Sequence, residues 1–256
     1  MSILSVDKVS MSFGGVKAID GVSFEVNKGE VFTIVGPNGA GKSTLFNLIS
    51  RFHDPDSGSI RFEDTDLLSL QAHRIIELGI ARTFQNIELF DHSTVLQNLL
   101  IGRHVCRNTR WFHDLLFLPR VRRAEREHRR AVEEVIDFLE LAAYRDKLIA
   151  GLPYGVRKVV EIARALASQP RLVLLDEPAS GLSVEETGNM AWWIEDMQKD
   201  LGLTILMVEH DMGLVSQVSD RVLAIAEGRM LAEGTPAEVQ AHPRVIEAYL
   251  GTESVP

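Results

Sequence analysis

Apolar side chains alternate with polar ones near the start of the chain, at Leu4 and Val6 and then Val9, and again at Val22, Phe24 and Val26. That period of two predicts half-exposed strands over residues 3–35, with 30–35 apolar enough to be buried on both faces. Asn27-Lys28-Gly29 supplies the turn into that last strand, and the run from Thr44 through Ile49 reads as the start of a helix. Asp54-Pro55-Asp56-Ser57-Gly58 is a cluster of turn formers, after which 59–63 and 80–84 read as short strands. From about Leu96 to Leu148 the period lengthens to that of a helix: Val121, His128, Val132, Val135, Ile136 and Leu139 recur with Arg and Glu between them. An aromatic-rich cluster, Trp111, Phe112, Leu115, Leu116 and Phe117, stands just before Pro119. Two runs, the wholly apolar 172–175 and 203–208, which is apolar except at Thr204, have the pattern of strands covered on both faces in a parallel sheet.

Helices are expected between and after these runs. One opens at Gly155 with an apolar face of Val159, Ile162, Ala163 and Leu166, and a second covers roughly 184–201. Arg221–Ala226 and 229–232 form a hairpin about Glu227-Gly228, Thr235-Pro236 starts a helix, and Pro243–Leu250 is a last short one. The alternation predicts an α/β core with an antiparallel β edge from the N-terminal segment and an inserted all-helical lobe.

The chemistry sits at the junctions. Gly36-Pro37-Asn38-Gly39-Ala40-Gly41-Lys42-Ser43-Thr44 fits G-x-x-x-x-G-K-[ST], between a buried strand and a helix start. Such a loop turns successive N–H groups toward one point at a helix N-terminus, which is a cradle for phosphate. Lys42 can reach β- and γ-phosphates, and the Ser43 hydroxyl can ligate Mg²⁺. With glycine near 7% of residues, the pattern arises by chance in about one chain in a hundred. The run 172–175 delivers Asp176 and Glu177 to a strand end, where one acid can hold Mg²⁺ and its neighbour can polarise a water. The run 203–208 leads to His210, placed for a phosphate contact.

Composition narrows the partners. At 45% hydrophobic and 25% charged, the chain has the make-up of a globular protein; no apolar run approaches the roughly 18 residues that span a bilayer. The N-terminus lacks a basic-then-apolar signal design, and a single cysteine, Cys106, excludes an internal disulfide. A net charge of −9 argues against nucleic acid as a partner. Between Arg103 and Arg130, however, nine arginines face only Asp114, Glu125 and Glu127. That stretch is either a solvated basic helix or a face for lipid headgroups or an acidic partner.

In this order the pieces resemble the ATP-binding subunit of ABC transporters over nearly the whole chain. The resemblance is to the branched-chain amino acid importer ATPases in Ser12-Phe13-Gly14-Gly15-Val16-Lys17-Ala18, Gly79-Ile80-Ala81-Arg82-Thr83-Phe84-Gln85, Leu152-Pro153-Tyr154-Gly155, Glu209-His210-Asp211-Met212 and the tail from Pro243 to Gly251. It implies a single P-loop NTPase domain, 1–256, whose RecA-like core is formed by 1–95 and 161–256 and whose helical subdomain is 96–160. It implies ATP and Mg²⁺ as ligands. Phe13 would stack on adenine, Gln85 would touch Mg²⁺ or the attacking water and sense the membrane partner, and Asp176 would hold Mg²⁺ through water. Glu177 would be the general base, and His210 would contact the γ-phosphate. Residues 152–156, with Tyr154 and Gly155, would meet the nucleotide on the opposite subunit.

The implied partners are transmembrane permease subunits, a second ATPase subunit (a paralogue or a second copy) and, indirectly, a periplasmic or extracellular substrate-binding protein. The implied location is peripheral, on the cytoplasmic face of the cell membrane. A urea or lipid transporter and a soluble non-transport ATPase are the alternative settings. Two residues depart from the family pattern: Val156 stands where a glutamine is usual, and Ser183 where Asp or Asn is common. Both bear on contacts between subunits.

Overall fold

In the computed structural model, residues 1–106 and 119–250 are described. The chain opens with strands β1 (Ser2–Phe13), β2 (Val16–Asn27) and β3 (Val31–Val35), followed by helix α1 (Lys42–Ile49), β4 (Ser57–Phe62), β5 (Thr65–Asp66) and α2 (Ala72–Ile75). Next come β6 (Ile80–Arg82), α3 (Val95–Gly102), α4 (Pro119–Phe138) and α5 (Tyr154–Leu166). The last part holds β7 (Leu172–Asp176), α6 (Val184–Lys199), β8 (Thr204–Val208), α7 (Met212–Val218), β9 (Arg221–Ala226), β10 (Arg229–Gly234), α8 (Pro236–Gln240) and α9 (Pro243–Leu250). These elements divide into two units, Met1–Ile75 with Leu172–Pro256, and Ile76–Arg171.

The first unit carries two sheets. One is antiparallel, in the order β2-β1-β4-β5. In the other, strands run in the order β10-β9-β3-β8-β7, with β3 parallel to both β8 and β9 and β7 parallel to β8. Every residue of β3, β7 and β8 is buried, as expected for strands covered on both faces. Phe24 of the first sheet stacks on Phe32 of the second with ring centroids 5.4 Å apart. The Arg221 guanidinium lies 5.0 Å from the Phe32 ring centroid and donates to Glu30 at 2.9 Å, which satisfies a charge at this junction.

One departure from the sequence pattern is instructive. The turn formers around Ser57-Gly58 do not end a turn there, because β4 already begins at Ser57 and pairs through Ser57 to Ser10 and Ser59 to Asp7. Gly58 has φ +96, and a Cβ on it would lie 2.6 Å from the Asp7 and Lys8 carbonyl oxygens. The glycine serves the close approach of two strands, a use that local composition does not distinguish from a turn.

The second unit is built on α3, α4 and α5, with Leu99, Val132, Ile136, Leu139, Val159 and Ile162 buried. Thr94 starts α3 with a capping box to Gln97. Arg103, the first arginine of the basic stretch, is buried: its guanidinium donates to the Ala167 carbonyl at 3.0 Å and to His128 Nδ1 at 3.1 Å. Arg130 pairs with Glu134 at 3.1 Å on an exposed part of α4. Arg130 thus fits the solvated reading, whereas buried Arg103 follows neither; the aromatic cluster 111–117 lies outside the described residues. No helix among the described residues is long and apolar enough to cross a membrane.

Candidate functional site

Strand order decides where the chemistry meets. Because β8 lies between β3 and β7, the loops leaving the C-terminal ends of these three parallel strands are neighbours. They carry, respectively, residues 36–44, the His210 turn and the Asp176-Glu177 pair. All of these belong to the first unit.

The loop after β3 is packed from below. A Cβ on Gly36 would stand 2.1 Å from the Ile225 carbonyl oxygen, and one on Gly41 (φ +102) 2.5 Å from the Ala18 oxygen and 2.6 Å from Ile19 Cδ1. No side chain fits at either place. The turn between β9 and β10 holds the loop from the far side: the Gly228 amide donates to the Ala40 carbonyl at 3.0 Å, and the Asp20 amide donates to Gly228 at 2.8 Å. Asn38 and Gly39, at the loop's tip, and Ser43 are exposed, while Pro37 and Thr44 are half-buried.

Lys42 opens α1 and is 6% exposed. Its ammonium donates to the carbonyls of Gly36 at 2.7 Å and Pro37 at 3.0 Å. Burial pushes its pKa down, while the carboxylates of Glu177 and Asp176 pull it back toward the charged form. The first turn of α1 has no acidic residue, and its N-cap Gly41 brings no side-chain hydrogen bond. An open helix N-terminus with a lysine and no acid in its first turn fits a phosphate group.

The donor set also fits Mg²⁺, which commonly takes one carboxylate and leaves the rest of its sphere to phosphate oxygens and water. Ser43 and Asp176 offer the hydroxyl and the carboxylate, Asp176 being buried at the end of β7. No cluster of three or more His, Cys, Asp or Glu side chains that would hold a metal by itself occurs among the described residues.

Glu177 leaves β7 with a φ of +50, and its amide donates to the Val208 carbonyl at 2.9 Å. A non-glycine residue in the left-handed region costs of order 1 kcal/mol or more and is retained where the position is over-determined. His210 is half exposed, its Nδ1 4.0 Å from Glu177 Oε2 and 3.8 Å from Glu209 Oε2. Phe13 is 45% exposed beside the β1–β2 turn and meets His53 edge-on at 5.4 Å. It is therefore not a core phenylalanine.

Tyr154, Gly155 and Gln85 are carried by the second unit. Tyr154 is exposed and Gly155 buried in the first turn of α5, which has neither an acid nor a side-chain cap. The Gln85 carbonyl accepts from Lys158 Nζ at 3.2 Å. Ser183 caps α6: its hydroxyl accepts from the Glu186 amide at 3.3 Å, and the Glu186 carboxylate accepts from the Ser183 amide at 2.8 Å. The unusual serine is thus a good helix cap.

Glu209 is the residue of this site that the sequence did not single out. Its side chain is 0% exposed. Oε1 accepts from the Ala179 amide at 2.8 Å, and Oε2 from the amides of His210 at 2.9 Å and Asp211 at 3.3 Å. One buried carboxylate therefore ties the loop after Glu177 to the turn bearing His210. An acid directly before His210 was visible in the sequence, but its partner Ala179 was not.

Comparison with known proteins places this geometry. The family model for ABC transporters matches residues 19–180, and that for the branched-chain amino acid ATP-binding cassette transporter matches 229–255. The chain is 39% identical over 249 residues to the high-affinity branched-chain amino acid transport ATP-binding protein BraF of Pseudomonas aeruginosa, covering 97% of this chain and 98% of that protein. It is 39% identical over 252 residues to LivG of Escherichia coli K12, which bears the same description, with 97% and 98% covered. A solved ATP-binding cassette of an ABC transporter, in its ADP conformation, superposes with a TM-score of 0.85 at 33% identity, over 98% of this chain and 99% of that one. The chain belongs to the ATP-binding cassette family of transporter ATPases, in the group that includes the branched-chain amino acid transport ATP-binding proteins.

Proposed function

We propose that this chain is the ATP-hydrolysing subunit of an importer for branched-chain or chemically related amino acids. The observation that carries the reading is the meeting of residues 36–44, Glu177 and His210 at the ends of three adjacent parallel strands. Full-length likeness to BraF and LivG supports the substrate class.

In this reading Lys42 and the amides of the 36–44 loop bind the phosphates of ATP, and Phe13 packs on the adenine. Ser43 and Asp176, with Gln85, would hold Mg²⁺, which when bound neutralises charge on the phosphates. Glu177 orients a water for in-line attack on the γ-phosphorus and accepts its proton. The bond from phosphorus to the β,γ-bridging oxygen breaks, giving ADP and phosphate, while Lys42 and His210 stabilise charge on the transferred group. Tyr154 and Gly155 face the nucleotide of a second ATPase subunit, and the pair drives permease subunits at the cytoplasmic face of the membrane.

Two substitutions test the assignment. Glu177→Gln should keep ATP affinity and lose about 10²- to 10⁴-fold in turnover, the usual worth of a positioned general base. Wild-type hydrolysis by that variant would remove Glu177 from the role. Lys42→Ala should lose ATP binding measured by calorimetry; an unchanged affinity would count against the phosphate loop.

A further inference from the structure

Between the end of β6 at Arg82 and the start of α3 at Val95, the backbone forms no regular helix or strand. Its buried polar groups must therefore find other partners. Helix α5 supplies several of them from one row of side chains spaced three residues apart. Glu161 Oε1 accepts from the Phe84 amide at 3.1 Å, and the Glu88 backbone bonds to the same carboxylate. Lys158 Nζ donates to the Gln85 carbonyl at 3.2 Å, and the Arg164 guanidinium donates to the Glu88 carbonyl. Arg157, the neighbour of Lys158 on this helix, pairs with Asp91 at 3.2 Å.

Glu161 is 2% exposed, within the buried run Val159, Val160, Ile162 and Ala163. Burial raises its pKa, and the Phe84 amide and Lys158 oppose that rise. A carboxylate here is costly, and a hydrophobic residue would satisfy the packing as well. What only the carboxylate supplies is an acceptor for both ends of the Gln85 loop.

We infer that Lys158, Glu161 and Arg164 hold the loop around Gln85 against α5 and so set where the Gln85 side chain stands. Glu161 is a positioning residue: it acts on the reaction through Gln85. This rests on the reading of Gln85 given above.

The experiment combines amide hydrogen exchange with a double-mutant cycle on the full-length chain. Glu161→Gln should speed exchange in the 84–88 segment about tenfold, leaving residues 36–44 unchanged. It should lower kcat about 3- to 30-fold with little change in the KM for ATP. In a Gln85→Ala background, Glu161→Gln should lower kcat no further, because its effect runs through Gln85. Lys158→Met, which removes the bond to the Gln85 carbonyl, should repeat the kcat loss in a variant that keeps a long side chain. Unchanged exchange at 84–88, or additive losses in the cycle, would overturn the positioning role. Full activity in Gln85→Ala alone would instead remove Gln85 from the reaction, an outcome that the single variant identifies.

Discussion

The carboxylate of Glu209 uses both oxygens on backbone amides, and those amides flank the two side chains proposed to work on the γ-phosphate. Glu209→Gln keeps one acceptor and turns an amide donor toward N–H groups that need acceptors. Hydrogen bonds to charged groups are worth about 1.5–3 kcal/mol, so urea unfolding should report a destabilisation of about that size. Turnover should fall more than ATP affinity, since Lys42 and its loop keep their own supports; equal losses in both would mean that Glu209 serves the fold alone. At this scale the sequence was most readable where function is local. Residues 36–44 are contiguous, and their pattern carries its own context. Glu209 and Ala179 are thirty residues apart, and only the pairing of β7 with β8 brings them together.

Elements were legible where pattern and tertiary context agree. Pro243–Leu250 forms a helix with the bounds that the periodicity predicts, and the run 172–175 lies within a fully buried strand. The helix expected over 184–201 stops at Lys199, and the strand expected over 80–84 stops at Arg82, where α5 takes over the pairing of the backbone at Phe84. Helix α4 gives a prediction of its own. Glu133 on this helix accepts from Arg145 Nε at 2.9 and 3.1 Å, and that bond holds the carboxyl below its ordinary 4.5. A depressed carboxyl adds stability that is fully present above pH 4.5 and is lost as pH falls through the folded value. Thermal melts of Arg145→Met should therefore lie below wild type by a constant margin above about pH 5, a margin that narrows in more acid buffer. A gap that widens on acidification would refute the pair.

At the scale of the molecule, the chain is an ABC transporter ATPase, and its proposed work in an importer calls for permease subunits. Gentle detergent extraction of the tagged protein from its own membranes should recover two hydrophobic permeases and a second ATPase, identified by mass spectrometry. Recovery from the soluble fraction with nucleic acid or ribosomes would overturn the transport reading and leave the nucleotide chemistry standing. The change of hydrophobic period near Leu96 lies inside the second unit, which runs from Ile76 to Arg171. Neither the entry at Ile76 nor the return after Arg171 carries a change of period, since both depend on contacts between distant segments.

That return sets an order of events during synthesis. The proposed phosphate loop is complete in sequence once Thr44 has been added, but the strands on either side of β3 are β8 and β9, and the turn that supports Ala40 is at Gly228. Long-range parallel pairing of this kind forms late, after its distant strands exist. A nascent chain that has not yet exposed residue 228 holds every residue of the loop but lacks the turn that supports Ala40. A loop local in sequence is thus held in place by some of the last strands to be made.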